Sequence, residues 1–195
     1  MRLGVVRDEQ SLREFLLTQI IPAQRRQELP YLRFAFEAQS LDGVCAIDRE
    51  ISAWKLAHET RDASAQLGIR RLKALRILSD DPRLPEFEQE IAARRANGHH
   101  LVVCALQARI ENVPLIAALN AYFYQSLAAI CAASLKLIRI GQDGCQRALR
   151  SASAQAATTV RESLSVTRED AGWFNPLLEI ASMRHERAEE RLFIS

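Results

Sequence analysis

Apolar residues recur at three- and four-residue intervals along almost the whole chain, and no stretch alternates apolar with polar over the length of a strand. The pattern predicts an all-α fold. Ser11 to Glu14 offers a capping-box pattern near Asp8, and Leu12, Phe15, Leu16 and Ile20 form the stripe of a first helix that Pro22 is expected to close. Pro30, whose missing N–H costs nothing in a helix's first turn, is expected to open a second piece through Tyr31, Phe34 and Phe36. Asp42 is expected to cap a third helix carrying Val44, Ile47, Ile51 and Trp54. A fourth runs from about Thr60 to Leu78, with Leu67, Leu72, Leu75 and Leu78 inward and Arg70, Arg71, Lys73 and Arg76 largely outward.

Ser79-Asp80-Asp81-Pro82 ends that helix, and Pro85 starts a short one that Asn97-Gly98 terminates, since glycine tolerates the left-handed backbone of a helix end. His100 to Glu111 follows, and Pro114 opens the longest helix. Val113 to Leu135 carries no charge and is long enough to cross a bilayer. Asn120, Gln125, Ser126 and Ser134 interrupt it, however, many of its apolar residues are only alanine, and it would be a lone span. It is therefore expected to be a buried central helix, with Tyr122, Phe123 and Tyr124 in the core rather than stacking on bases. Gly141 and Gly144 mark a break, a polar alanine-rich helix resumes from Arg147 to Glu162, and Gly172 and Pro176 bracket a linker to a last helix, Leu177 to about Arg191. The organisation predicted is one domain over residues 1–195. It is a single up-and-down helical bundle around the long uncharged central helix, with residues 172–195 forming linker, C-terminal helix and tail.

Composition narrows the function classes. At 195 residues and 48% hydrophobic, the chain can bury a core without disulfide or metal. The net charge of +2, from 26 basic and 24 acidic residues, gives no field that favours nucleic acid. Only Lys55, Lys73 and Lys136 are lysines; the arginine excess suits carboxylate pairing at protein interfaces, but a compositional bias is the better explanation. Cys45, Cys104, Cys131 and Cys145 lie far apart in apolar surroundings and read as buried free thiols of a reducing cytosol. The N-terminal residues hold no apolar run long enough for a signal peptide, so a cytoplasmic location is expected.

Catalytic patterns are missing: no Gly-x4-Gly-Lys-Ser/Thr loop, no Gly-x-Ser-x-Gly elbow, no dinucleotide fingerprint. His58-Glu59-Thr60-Arg61-Asp62 and His185-Glu186-Arg187-Ala188-Glu189 each resemble half of a zinc-protease helix. Each puts a carboxylate where the second histidine is needed, and for His185 and Glu189, one helical turn apart, a surface ion pair is the better reading. His99 and His100 would leave a helix axis about 100 degrees apart, so one is expected to face the core and the other solvent rather than share an ion. No catalytic residue, cofactor site or metal site is assigned. The basic residues Arg70, Arg71, Lys73 and Arg76 could meet an acidic partner, but Asp80, Asp81, Glu86, Glu88 and Glu90 follow and a solvated face is expected. The C-terminus differs: after Leu177, Leu178, Ile180, Ala181 and Met183 comes a dense run of charges, and the chain ends on Leu192-Phe193-Ile194 before Ser195. Three apolar residues at a terminus imply docking, onto the chain's own core or into a partner's groove.

Four blocks agree in order and spacing with one family. They are Leu178-Glu179-Ile180-Ala181-Ser182-Met183-Arg184-His185-Glu186 with Arg191-Leu192-Phe193 and a final serine; Glu59-Thr60-Arg61 with Gln66 and Gly68; Ala96-Asn97-Gly98-His99; and Leu137-Ile138 with Gly141-Gln142 and Gln146. Together they resemble the UreF family of urease accessory proteins. The chain departs from that pattern in lacking the phenylalanine-serine-x-serine segment and glycine-leucine-glutamate helix that usually come first, which suggests a start assigned too late or a shortened relative. Arg139 stands where the family has proline, Cys145 where it often has glycine, and Glu189 where it has an aromatic residue.

The resemblance implies a non-enzymatic, all-helical homodimer. It would bridge the UreD/UreH accessory protein and the UreG GTPase so that nickel, as cargo, reaches apo-urease. It would use no cofactor, nucleic acid or membrane. The partner-binding residues it implies are Met183, Arg184, His185, Glu186, Arg187, Arg191, Leu192, Phe193 and Ile194, with Gly141, Gln142 and Gln146 of the turn. A second reading is a regulator that supplies a catalytic arginine to UreG, Arg184 or Arg187. A third is a degenerate relative that folds without assembly activity.

Overall fold

The computed structural model describes residue 4 and residues 6–186, and every regular element among them is helical. The α-helices are α1 (Glu9–Phe15), α2 (Ile21–Ala23), α3 (Leu29–Glu37), α4 (Leu41–Trp54), α5 (His58–Leu78), α6 (Arg83–Ala92), α7 (His100–Ile110), α8 (Leu115–Leu137), α9 (Gln142–Ser153), α10 (Ala156–Ser163) and α11 (Pro176–Glu186). They fall into two compact units. One comprises Met1–Pro30 and Ile116–Asn175, the other Tyr31–Leu115 and Pro176–Ser195.

In the first unit α1 begins at a reciprocal cap: the Asp8 carboxylate accepts the Ser11 N–H at 2.8 Å, and the Asp8 N–H donates to Ser11 Oγ at 3.1 Å. Pro22 does not close this helix, nor does Pro30 open a new one. Two π-helical turns, Leu16–Ile20 and Gln24–Glu28, precede the two prolines in the same phase, each ending two residues before its proline. The wider turn shifts hydrogen bonding to i→i+5 just where a proline lacks its N–H and its ring would strike the preceding turn. The helical path thus continues from Glu9 to Glu37.

The core of this unit is built from Leu12, Leu16, Leu119, Phe123, Leu127, Ala148, Ala152 and Val160. Gly172 N–H donates to the Arg26 carbonyl at 2.9 Å, and Asn175 Nδ2 donates to Gln19 Oε1 at 2.6 Å, so the segment after α10 folds back along the π-helical stretch. The expected helix from Arg147 to Glu162 is two helices, and Gly144 lies inside the first. The long uncharged helix also departs from expectation. α8 buries one face, Ala118, Leu119, Phe123, Leu127, Cys131 and Ser134, while Ala117, Ala121, Tyr124, Gln125, Ala129 and Ala132 are exposed. Of its aromatic trio only Phe123 is core; Tyr122 is half-buried, with its hydroxyl donating to Glu28, and Tyr124 is exposed. Uniform hydrophobicity hid a sidedness that alanine, tolerated on either face, does not report. By length and composition α8 could cross a membrane.

In the second unit Ser40, not Asp42, caps α4. Its backbone is extended and its hydroxyl accepts the Gly43 N–H at 3.1 Å, leaving Asp42 in the first turn, where its charge favours the helix dipole. Val44, Ile47 and Ile51 are buried as expected. α5 packs against α7, with Gly68 at the close approach and Leu72 and Leu75 also buried. Leu67 and Leu78 were expected inward and are exposed, because the buried face of α5 is set by the glycine that lets another backbone approach, and those leucines lie off it. The residue of left-handed backbone at the end of α6 is Arg94, at φ 59; Gly98, at φ 77, serves the turn into α7.

Candidate functional site

The turn between α8 and α9 carries one group of expected site residues. Gly141 is the extended N-cap of α9 and Gln142 its first residue; both, and Gln146, are exposed. Behind them Gly144 is buried so tightly that an added Cβ would lie 2.9 Å from Glu9 Oε2. Arg147 grips the same carboxylate through Nε at 2.8 Å and Nη2 at 2.6 Å, which holds the Glu9 carboxyl below its ordinary range and raises the arginine. Cys145 is buried, its thiol donating to the Cys131 carbonyl at 3.1 Å. The burial of Cys131, and then the adjoining Cys145, push the Cys131 thiol to about 12, so Cys131 does not have the character of a reactive thiolate. Glu9, Arg139, Gly141, Gln142 and Arg147 line an open cavity of about 370 Å³. Here the turn presents backbone and amide groups to solvent above the Arg147–Glu9 pair.

The block Ala96-Asn97-Gly98-His99 is fastened from below. The Asp48 carboxylate accepts the backbone N–H groups of Asn97, Gly98 at 3.2 Å and His99 at 2.8 Å. His99 is fully buried, its Nε2 bonded to Ser52 Oγ at 2.7 Å and its Nδ1 to Ser64 Oγ at 3.1 Å. A serine on a histidine can be a nucleophile with its base, but both ring nitrogens of His99 are occupied and the ring has no surface for a substrate. Burial lowers its pKa against the opposing influence of Asp48, so the ring is neutral and ties α4, α5 and the turn into α7 together. His100 is only partly buried, with Nε2 3.4 Å from Cys104 Sγ one turn along. Burial and then Arg71 depress it to about 4, while burial pushes Cys104 to about 11. The two histidines do diverge, one into the core and one to its margin. Among the described residues no three His, Cys, Asp or Glu side chains could hold a metal ion.

α11 packs against α5, with Ile180, Met183 and Arg184 exposed. Of the other expected residues, Arg187, Arg191, Leu192, Phe193 and Ile194 lie outside the described residues, as do the side chains of His185 and Glu186. Met183 and Arg184 belong to the second compact unit, and Gly141, Gln142 and Gln146 to the first. The outward apolar residues of α5, Leu67, Ile77 and Leu78, were not foreseen as surface; the adjacency of Ile77 and Leu78 was the available signal, since two neighbours cannot both lie on one narrow buried stripe.

The family model UreF matches residues 6–153. The chain is similar to the urease accessory protein UreF of Actinobacillus pleuropneumoniae, 31% identical over 195 aligned residues that cover 98% of this chain and 86% of the relative. It is similar also to the urease accessory protein UreF of Arthrobacter sp. strain FB24, 32% identical with 98% and 84% covered, and to that of Haemophilus influenzae strain KW20, 29% identical with 98% and 83% covered.

Proposed function

This chain belongs to the UreF family of urease accessory proteins, and we propose that it acts as a non-enzymatic scaffold in the cytoplasm, bridging UreD/UreH and the UreG GTPase while nickel is delivered to apo-urease. The observation that supports this reading is the outward placing of residues that the sequence resemblance singles out: Met183 and Arg184 on α11, and Gly141, Gln142 and Gln146 at the turn before α9. Residues that a fold does not need and that sit in solvent are the ones a partner can use. Nucleotide chemistry then belongs to UreG, and nickel is cargo. Two copies are proposed to pair through the uncovered face of α8, whose alanines allow close approach of a second helix and whose lack of charge incurs no repulsion across a two-fold axis.

Deleting residues 183–195 tests the bridging role. Co-purification with UreD and UreG, and urease activation in cells, are expected to be lost while the helical fold remains; an intact complex would remove the C-terminal segment from the binding site. The exposure of Arg184 keeps a second reading open, in which that arginine enters the UreG site. Turnover of GTP by UreG, with and without the chain, separates the two, since a catalytic finger raises the rate by about 10³-fold or more.

A further inference from the structure

α5 spans His58–Leu78, and Gly68, Leu72 and Leu75 mark its buried side. Its outward side carries Leu67, Arg70, Lys73, Ala74, Ile77 and Leu78, all exposed, with Ile77 85% and Leu78 79% accessible. Leu67, Ala74 and Ile77 fall at the a, a and d positions of one heptad frame, with Arg70 at the intervening d and Leu78 beside Ile77; this is the seam along which a second helix packs. Single exposed leucines need no explanation, but an apolar seam spanning three turns on one face does.

The charges on this face decide what would cover it. Arg76 is paired with Glu88 at 3.4 Å, and Arg71 donates to Gln107 at 2.7 Å. Arg70, within the seam, and Lys73, at its edge, make no ion pair among the described residues. A second copy of this chain docked here about a two-fold axis would set these cations against themselves. An anionic bilayer would meet the exposed Asp80 just beyond Leu78 as well as the cations, whereas a folded partner can place its carboxylates opposite Arg70 and Lys73 alone.

We propose that the outward face of α5 is a docking surface for an amphipathic helix of a partner protein, one that lays an apolar seam on Leu67, Ala74, Ile77 and Leu78 and sets carboxylates against Arg70 and Lys73. The proposal rests on the scaffold reading, and it adds residues of α5 to those proposed on α11 and at the turn before α9.

The test uses the full chain with the purified urease apoprotein and accessory proteins of the same organism as probes, and anionic phosphatidylglycerol vesicles as the alternative surface. A photo-crosslinking residue at Leu78 is expected to label one of those proteins on a helix with acidic residues one turn apart. I77S/L78S and K73E are expected to weaken that pair about tenfold or more without lowering the melting temperature, and a lysine placed at the labelled carboxylate is expected to restore binding to K73E. Unchanged affinity in both variants, labelling of a non-acidic segment, or capture by vesicles in place of the proteins overturns the proposal. Loss of urease activation on deleting residues 183–195, with both α5 variants fully active, overturns this surface and leaves the scaffold reading standing. Binding that depends on α5, in cells where urease matures without the chain, does the reverse.

Discussion

The carbonyl oxygen of Gly98 occupies the place where a side chain on Gly68 would begin: a Cβ built there lies 2.0 Å from that oxygen and 2.7 Å from the His100 nitrogen. All the offending atoms are backbone, so no rotamer change relieves them. Gly68→Ala must therefore push α5 away from the start of α7. The expected cost is about 3 kcal/mol or more, the range of an overpacked core with no route to relax. Urea denaturation of the variant checks it, and a stability within 1 kcal/mol of wild type (about a fivefold change in equilibrium constant) contradicts this packing.

Asp48 bears on the same junction. Its carboxylate is fully buried and receives N–H groups from Asn97, Gly98 and His99. Asp48→Ala leaves those donors unpaired and is expected to destabilise by about 3 kcal/mol. Asp48→Asn turns an amide N–H₂ toward backbone N–H groups and is expected to recover only part of the loss. Amide exchange at Gly98 and His99 is the local measure: protection there is expected to fall further than in α9.

His100 makes stability depend on pH. Burial, then Arg71, hold its folded pKa at about 4, against about 6.5 when unfolded. Between those values the unfolded chain binds the proton and the folded chain does not. The contribution is complete above pH 6.5 and is lost as pH falls toward 4. After allowance for solvent screening it is worth about 2 kcal/mol. Subtracting the pH profile of His100→Gln from that of wild type isolates it, because His99, shifted in the same direction, and the carboxylates remain in both. A flat difference between pH 4 and 7 contradicts the assignment.

How much of this was legible in the sequence follows from what each residue type reports. Leu72 and Leu75 with Val44, Ile47 and Ile51 placed their helices' buried faces correctly, because a branched aliphatic side chain is stabilised by burial. Ser40 and Asp42 are both good caps by residue type, and only the extended backbone at Ser40 separates them. Pro22 has the sequence signature of a stop, since composition holds no record of a π-helical turn that absorbs a missing N–H. Of the candidate site, the turn at Gly141 and the exposure of Met183 could be anticipated, whereas the clamp beneath Gly98 could not: Asp48 and Asn97 are distant in sequence and meet only when α4 and α7 pack.

α8 supplies the remaining prediction. Phe123 and Leu127 lie buried while Tyr124, Ala129 and Ala132 face outward, so the two sides of one helix can be changed independently. Ala129→Arg adds a charge to the exposed side without entering the core, and helix propensity is nearly unchanged by that exchange. If two copies pair across this face, each arginine must be buried against a neighbour of like charge near the two-fold axis, a penalty of several kcal/mol that a dimer of ordinary affinity does not survive. Light scattering on the eluted protein is expected to read a dimer for wild type and a monomer for Ala129→Arg, with the same melting temperature at low concentration. A variant that remains dimeric moves the pairing surface elsewhere, whereas one that unfolds shows that this face is already covered within the chain.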